Sequence, residues 1–271
     1  MTRDEKLQAM LAKEEYDARD LVTIVELLRL PGGCPWDREQ THKSLRRDMI
    51  EETYEVIEAI DADDPVLLRE ELGDALLQIV LHARIEEEAG RATFDEIAGD
   101  VCRKMIHRHP HVFGDVKAES VGEVLANWED IKSEEKSRTT LTDKLTSIPK
   151  QFPALMRAAK VGKKAKALDF PDGAAVATKL REELAEVESA IAAGDENAVF
   201  EEMGDLLLTA ASLARFAGVD PEHALSAATD KFIGRFAAVE QLAVDSGADL
   251  TSMSDAEKDV LWQKVKKVLK K

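Results

Sequence analysis

Cysteine is nearly absent. The 271 residues include two, Cys34 and Cys102, with no CxxC pair, which excludes a disulfide-stapled scaffold and a cysteine-rich zinc site. No apolar run comes near the roughly 20 residues needed to span a bilayer, and the opening "MTRDEKLQAMLAKEEYDARD" is charged throughout, without the apolar core of a secretory signal. A cytoplasmic setting is expected. Nor is there a basic excess: 54 acidic residues against 37 basic give a net charge of −17, which argues against nucleic acid and against anionic membrane as partners. No segment shows the alternation of a half-buried strand.

What is present is helical periodicity. Apolar residues recur at three and four over 20–30, 49–60, 67–85, 94–106, 176–191, 199–216 and 222–243, which predicts an all-α fold. Turn signals punctuate it at "RLPGGCPWD" (29–37), "DADDP" (61–65), "HRHPHVFGD" (107–115), "SIPKQFP" (147–153), "LDFPDG" (168–173) and "AGD" (193–195). The polar stretch from 133 divides the chain. We place an N-terminal domain at 1–135, a linker at 136–150 and a C-terminal domain at 151–271.

The two halves repeat. Glu52, Glu55, Glu71 and Asp74 share their spacings with Glu183, Glu186, Glu202 and Asp205, all shifted by 131. Lys104 and Arg108 match Lys231 and Arg235 at a shift of 127, and Trp128 and Lys132 match Trp262 and Lys266 at 134. Small changes of offset are what loop insertions produce.

Each quartet is two pairs of acids three residues apart, and residues so spaced are neighbours on one helix face. A turn near Asp63–Pro65 would fold the second helix back on the first and bring the pairs together. Isolated acids on helices are ordinarily solvated. Here the second helix argues otherwise: Leu67, Leu72, Leu76, Leu77, Ile79, Val80 and Leu81 surround its axis, leaving a narrow polar sector with Asp74, Gln78 and His82. A helix apolar on all sides is expected to be buried, and its carboxylates with it. Buried unpaired carboxylates cost several kcal/mol each unless a cation compensates them. An all-oxygen donor set lacking the ExxH element of di-iron bundles predicts Mg²⁺, with Mn²⁺ as the substitute. Mg²⁺ favours phosphate oxygens, so a nucleotide-type substrate follows. The KxxxR and WxxxK pairs would supply phosphate contacts and a stacking surface.

Two other features read as structural. His107, His109 and His111 sit in a Pro-interrupted loop and suit a turn or packing role better than a transition-metal site, and Cys34 in "GGCPWD" has no assignable activating partner.

These motifs together resemble the two-domain MazG nucleoside triphosphate pyrophosphohydrolases. The resemblance rests on "GCPWDREQT" (33–41), "EETYEV" (51–56) with "ELGD" (71–74), "HRHPHVFGD" (107–115), "PALMRA" (153–158), "EELAEV" (182–187) with "EEMGDLL" (201–207), "KFIGRF" (231–236) and "WQKVK" (262–266). It implies paired MazG-like helical domains that form a four-helix-bundle-like core on homodimerisation around Mg²⁺. It also implies hydrolysis of nucleoside triphosphates between the α and β phosphates, with broad base tolerance and a role in the nucleotide pool. Carried over, the C-terminal metal ligands are Glu183, Glu186, Glu202 and Asp205, the nucleotide contacts Lys179, Glu182, Glu201, Lys231, Arg235, Trp262 and Lys266, and the candidate bases Glu182, Glu183 and Glu186. The second site has Glu52, Glu55, Glu71 and Asp74 for metal and Lys104, Arg108, Trp128 and Lys132 for substrate. Two positions depart from the pattern: Ala198 stands where a basic residue often precedes the "EEMGD" element, and Asp48 stands where the C-terminal half has Lys179. The implied main catalyst is the C-terminal site. A nucleotide-binding regulator without turnover is the rival reading.

Overall fold

The computed structural model describes residues 1–118, 120–135 and 140–268, the side chains at 126, 129, 130, 133 and 134 excepted. Among the described residues there is no strand. The helices run α1 (Arg3–Leu11), α2 (Ala18–Arg29), α3 (Pro35–Glu39), α4 (Arg46–Asp61), α5 (Pro65–Glu88), α6 (Phe94–Arg108), α7 (Pro110–Phe113), α8 (Val121–Glu135), α9 (Leu141–Thr146), α10 (Ala154–Lys164), α11 (Gly173–Ala193), α12 (Glu196–Phe216), α13 (Pro221–Asp245) and α14 (Asp255–Val268). The chain divides into two compact units, Met1–Lys132 and Ser133–Lys271. Of the stretch read as a linker, residues 136–139 lie outside the described residues, and α9 occupies part of the rest.

In the first unit α4 and α5 fold back on one another through a short turn. Asp63 takes the left-handed conformation there (φ 52°), and Asp64 then caps α5, its carboxylate accepting from the Val66 and Leu67 amides. The second unit makes the same turn between α11 and α12 with Gly194 (φ 69°) and the cap Asp195. Both pairs are 131 residues apart, so the repeat seen in the acids extends to the backbone of the turn. Only glycine enters the left-handed region without a steric cost, which makes Asp63 the strained member.

Behind the first hairpin, α2 packs on α5 around Val25, Leu45, Val80 and Leu81, with Leu21, Val22, Leu76, Leu77, Ile85 and Phe94 against them. The connection from α2 to α3 passes close to the helix end. A Cβ at Gly33 would stand 2.2 Å from the Leu28 carbonyl oxygen, so no other residue fits there. The loop ahead of α4 is tied to α5 by His42, whose Nδ1 lies 2.7 Å from His82 Nδ1 and whose Nε2 lies 2.6 Å from Glu86 Oε1. In the second unit α10 packs on α12 and α13, and α14 on α13. Val176, Val187, Ala211, Val239, Ala243 and Val265 are its buried apolar residues of greatest consequence, each on a helix that faces a neighbour.

Burial of the two hairpins is one-sided, which corrects the expectation of helices enclosed all round. Val80 and Leu81 are buried, whereas Leu72 and Ile79 on the same helix are exposed. On α12, Thr209 and Ala211 are buried while Phe200, Met203, Leu207 and Leu208 are exposed. One chain supplies packing partners for only one side of each hairpin.

Candidate metal centre

The turn geometry sets the acids of each hairpin opposite one another. Carboxylate oxygens of Glu52 and Glu55 on α4 and Glu71 on α5 lie within 4.8 Å of each other, and Glu183, Glu186 and Glu202 do the same on α11 and α12. Asp74 and Asp205 stand one turn further along α5 and α12. They are outside these trios, yet close enough that Asp74 raises the pKa of Glu52 and Asp205 that of Glu202. The depth of the acids varies. Glu183 is 5 % exposed, Glu52, Glu71 and Glu202 are half-buried, and Glu55, Glu186, Asp74 and Asp205 are exposed.

Crowding and burial act together on these groups. Glu52, Glu71 and Glu202 are each pushed above the ordinary glutamate value, first by desolvation and then by neighbouring carboxylates. Both effects penalise the charged form of each group.

The halves solve that problem differently. In the second unit Lys179 Nζ lies 3.0 Å from Glu183, 3.7 Å from Glu186 and 3.8 Å from Glu182, and its own pKa is raised chiefly by the hydrogen bond to Glu183. In the first unit the equivalent residue is Asp48, which adds to the negative charge. Gln78 instead reaches the cluster: a hydrogen bond from its side chain opposes the rise at Glu52.

The basic and aromatic pairs are also placed unequally. Arg108 lies over the Trp128 ring, 5.3 Å from its centroid, and His109 meets that ring edge-on at 5.0 Å, so both occupy the indole. Trp262 packs at 5.4 Å from Phe232 and lines an open apolar recess of about 560 Å³ with Phe236, Val239 and Leu250. Lys231, Arg235 and Lys266 form no hydrogen bond or ion pair with the acid hairpin, and Arg235 Nε is buried without a partner. Lys104 and Lys132 lie on α6 and α8, and Glu201 is exposed beside Glu202. The histidine loop packs as expected: His109 Nδ1 lies 2.6 Å from the Met105 carbonyl oxygen. Sequence reasoning placed Gln78 in the polar sector of α5 but gave it no role, because a neutral amide carries no charge pattern.

Comparison with known proteins agrees with this arrangement. The model of the MazG nucleotide pyrophosphohydrolase domain matches twice, at residues 40–113 and 159–239, each match containing one acid quartet. The chain is 43% identical over 91% of its length to the nucleoside triphosphate pyrophosphohydrolase/pyrophosphatase MazG of Thermotoga maritima, covering 94% of that protein. It is 42% identical to the nucleoside triphosphate pyrophosphohydrolase of Escherichia coli K12 over 91% of this chain and 96% of that one. A third relative, the YabN protein of Bacillus subtilis, is 44% identical over 90% of this chain, which spans only half of YabN. With two domain matches, a repeated acid hairpin and near end-to-end similarity to two such enzymes, the chain belongs to the MazG nucleotide pyrophosphohydrolase family.

Proposed function

We propose that this protein hydrolyses nucleoside triphosphates between the α and β phosphates, releasing monophosphate and pyrophosphate, with broad base tolerance and a role in the nucleotide pool. The relatives from Thermotoga maritima and Escherichia coli are named nucleoside triphosphate pyrophosphohydrolases. The single observation that carries the reading is the convergence of Glu183, Glu186 and Glu202. Their donors are all carboxylate oxygens, a set that fits Mg²⁺ or Mn²⁺ and fits zinc or a di-iron pair poorly. Asp205 completes the set of groups that would hold it. Mg²⁺ bound there would offset phosphate charge and ease deprotonation of a water.

The chain's own residues supply the remainder. Lys231, Arg235 and Lys266, which meet no carboxylate among the described residues, hold phosphate oxygens as charges. Lys179 and Glu201 border the same hairpin and contact the nucleotide, and Trp262 offers a face to the base beside the apolar recess. Glu183 and Glu186 belong to the cation. Glu182, next to them but outside the trio, is the carboxylate left to accept the proton of the attacking water.

In this reading the domains are 1–135 and 151–271, and the C-terminal hairpin is the main catalyst. Glu52, Glu55, Glu71 and Asp74 form a second metal site whose substrate side, Lys104, Arg108, Trp128 and Lys132, is compromised by the closed face of Trp128. The exposed apolar sides of α5 and α12 make a homodimer interface, each hairpin meeting its copy in a four-helix core.

Incubation with a triphosphate and Mg²⁺ tests the chemistry, and monophosphate plus pyrophosphate is expected. Diphosphate plus inorganic phosphate would refute attack at the α phosphorus, and tight nucleotide binding without product would favour the regulator. Combined Glu186→Ala and Asp205→Ala substitution should lower kcat by a factor on the order of a hundred or more. The pair Glu55→Ala and Asp74→Ala should leave most activity in place.

A further inference from the structure

Gln78 is 6 % exposed, yet its Oε1 has no hydrogen-bond partner. A buried amide oxygen left unpaired carries its full desolvation penalty, and no donor among the described residues meets this one. Its location narrows the explanation. Gln78 lies one turn beyond Asp74 on the face of α5 that carries Glu71 and Asp74, and its side chain comes close enough to the Glu52 carboxylate to oppose the rise in that group's pKa, an effect that only the amide N–H can have, since the carboxylate accepts. The carbonyl oxygen is bonded to the same carbon as that nitrogen, so the orphaned acceptor borders the Glu52, Glu55 and Glu71 cluster. A cluster of negative oxygens offers an acceptor nothing; a hydrated cation among them offers water protons or the ion itself.

The comparison between halves sharpens this. The residue equivalent to Gln78 is Thr209, also buried, beside a trio whose counter-charge is Lys179. Where Asp48 replaces that lysine, the protein has a carboxamide. We infer that Gln78 is a further member of the N-terminal metal centre, holding Glu52 through its N–H and presenting its Oε1 to the hydrated cation. The inference rests on reading the acid trios as metal sites. Outer groups that orient ligands in this way change metal affinity by about 10- to 100-fold.

The test uses the full chain with Glu186→Ala and Asp205→Ala, so that Mn²⁺ titration followed by electron paramagnetic resonance reads the N-terminal trio. Adding Gln78→Leu should weaken Mn²⁺ binding at least about tenfold. It should also shrink the rise in melting temperature that saturating Mn²⁺ produces over chelator. A merely structural role would lower both melting curves equally and leave the Mn²⁺ affinity unchanged; that result overturns the inference. Should the leucine variant not fold, Gln78→Thr, the residue used at the same place in the other half, gives the same comparison without the carbonyl. Glu55→Ala in the same background separates the two readings. If it abolishes Mn²⁺ binding while the Gln78 variants bind normally, only the assignment of Gln78 fails. If it leaves binding intact, the metal reading fails and the inference with it.

Discussion

At the scale of single residues, the acids set the pH behaviour. Glu52, Glu71 and Glu202 have folded pKa values raised above 4.5, their value in the unfolded chain. The folded, metal-free protein therefore binds protons that the unfolded chain releases, and this contribution to stability is complete below pH 4.5 and is lost as pH rises through the folded values. Carboxyls held low, such as Asp20 beside Lys13 and Glu86 beside Arg91, act in the opposite sense but at more acid pH. In chelator, the melting temperature should thus decline as pH rises above 4.5, and combined Glu52→Gln and Glu202→Gln substitution should flatten the decline. A cation requires the deprotonated forms, so in saturating Mn²⁺ the melting temperature should rise over the same window; calorimetry at stepped pH measures both. The convergence of the acid trios was legible in the sequence because spacing of three on a helix fixes neighbours. The reach of Lys179 to Glu183, an i, i+4 pair, was passed over, since Lys179 was given only to the nucleotide. The state of Gln78 was not legible, because an unpaired carbonyl is a property of three-dimensional surroundings.

At the scale of elements, the seven periodic segments correspond to α2, α4, α5, α6, α11, α12 and α13. Five of the helices that periodicity missed, α1, α3, α7, α8 and α14, have two causes. Helices α3 and α7 are short, begin at Pro35 and Pro110, and lie within stretches whose proline and glycine signal turns. Proline at the first helical position starts a helix as readily as it marks a loop. Helices α1, α8 and α14 are rich in charge and carry too weak an apolar stripe to read. Glycines inside α5 and α12 are a different matter. Gly73 and Gly204 are 131 residues apart and mid-helix, where glycine costs about 0.5–1 kcal/mol relative to alanine, and a Cβ at either would meet nothing within 4 Å of its own chain. The space beside each is open to whatever approaches from outside the chain. Gly204→Ala should therefore leave helicity intact by circular dichroism while lowering pyrophosphate release on the order of tenfold, because a displaced reacting group is costly. Full activity with higher stability would show the glycine to be incidental.

At the scale of the molecule, the sequence misjudged one quantity. It placed apolar residues on every side of α5 correctly, but periodicity cannot say whether the cover comes from the same chain. Met203, Leu208, Leu72 and Ile79 remain exposed in one chain, and the homodimer proposed above would cover them. With a stable interface burying roughly 1,200–2,000 Å², sedimentation should give twice the chain mass of 30.0 kDa. The substitutions Met203→Glu and Leu208→Glu should shift it toward the single chain. A second molecular property follows from Lys231, Arg235 and Lys266, cations without an ion pair among the described residues, in a protein of net charge −17. At low salt, where the Debye length exceeds the roughly 10 Å it has at 0.1 M, a free triphosphate is repelled by the molecule as a whole before it comes within reach of the cations proposed to hold it. Added salt weakens the distant barrier and the near attraction alike, so capture should be fastest at an intermediate ionic strength, with the cation-complexed nucleotide, carrying less negative charge, the better traveller.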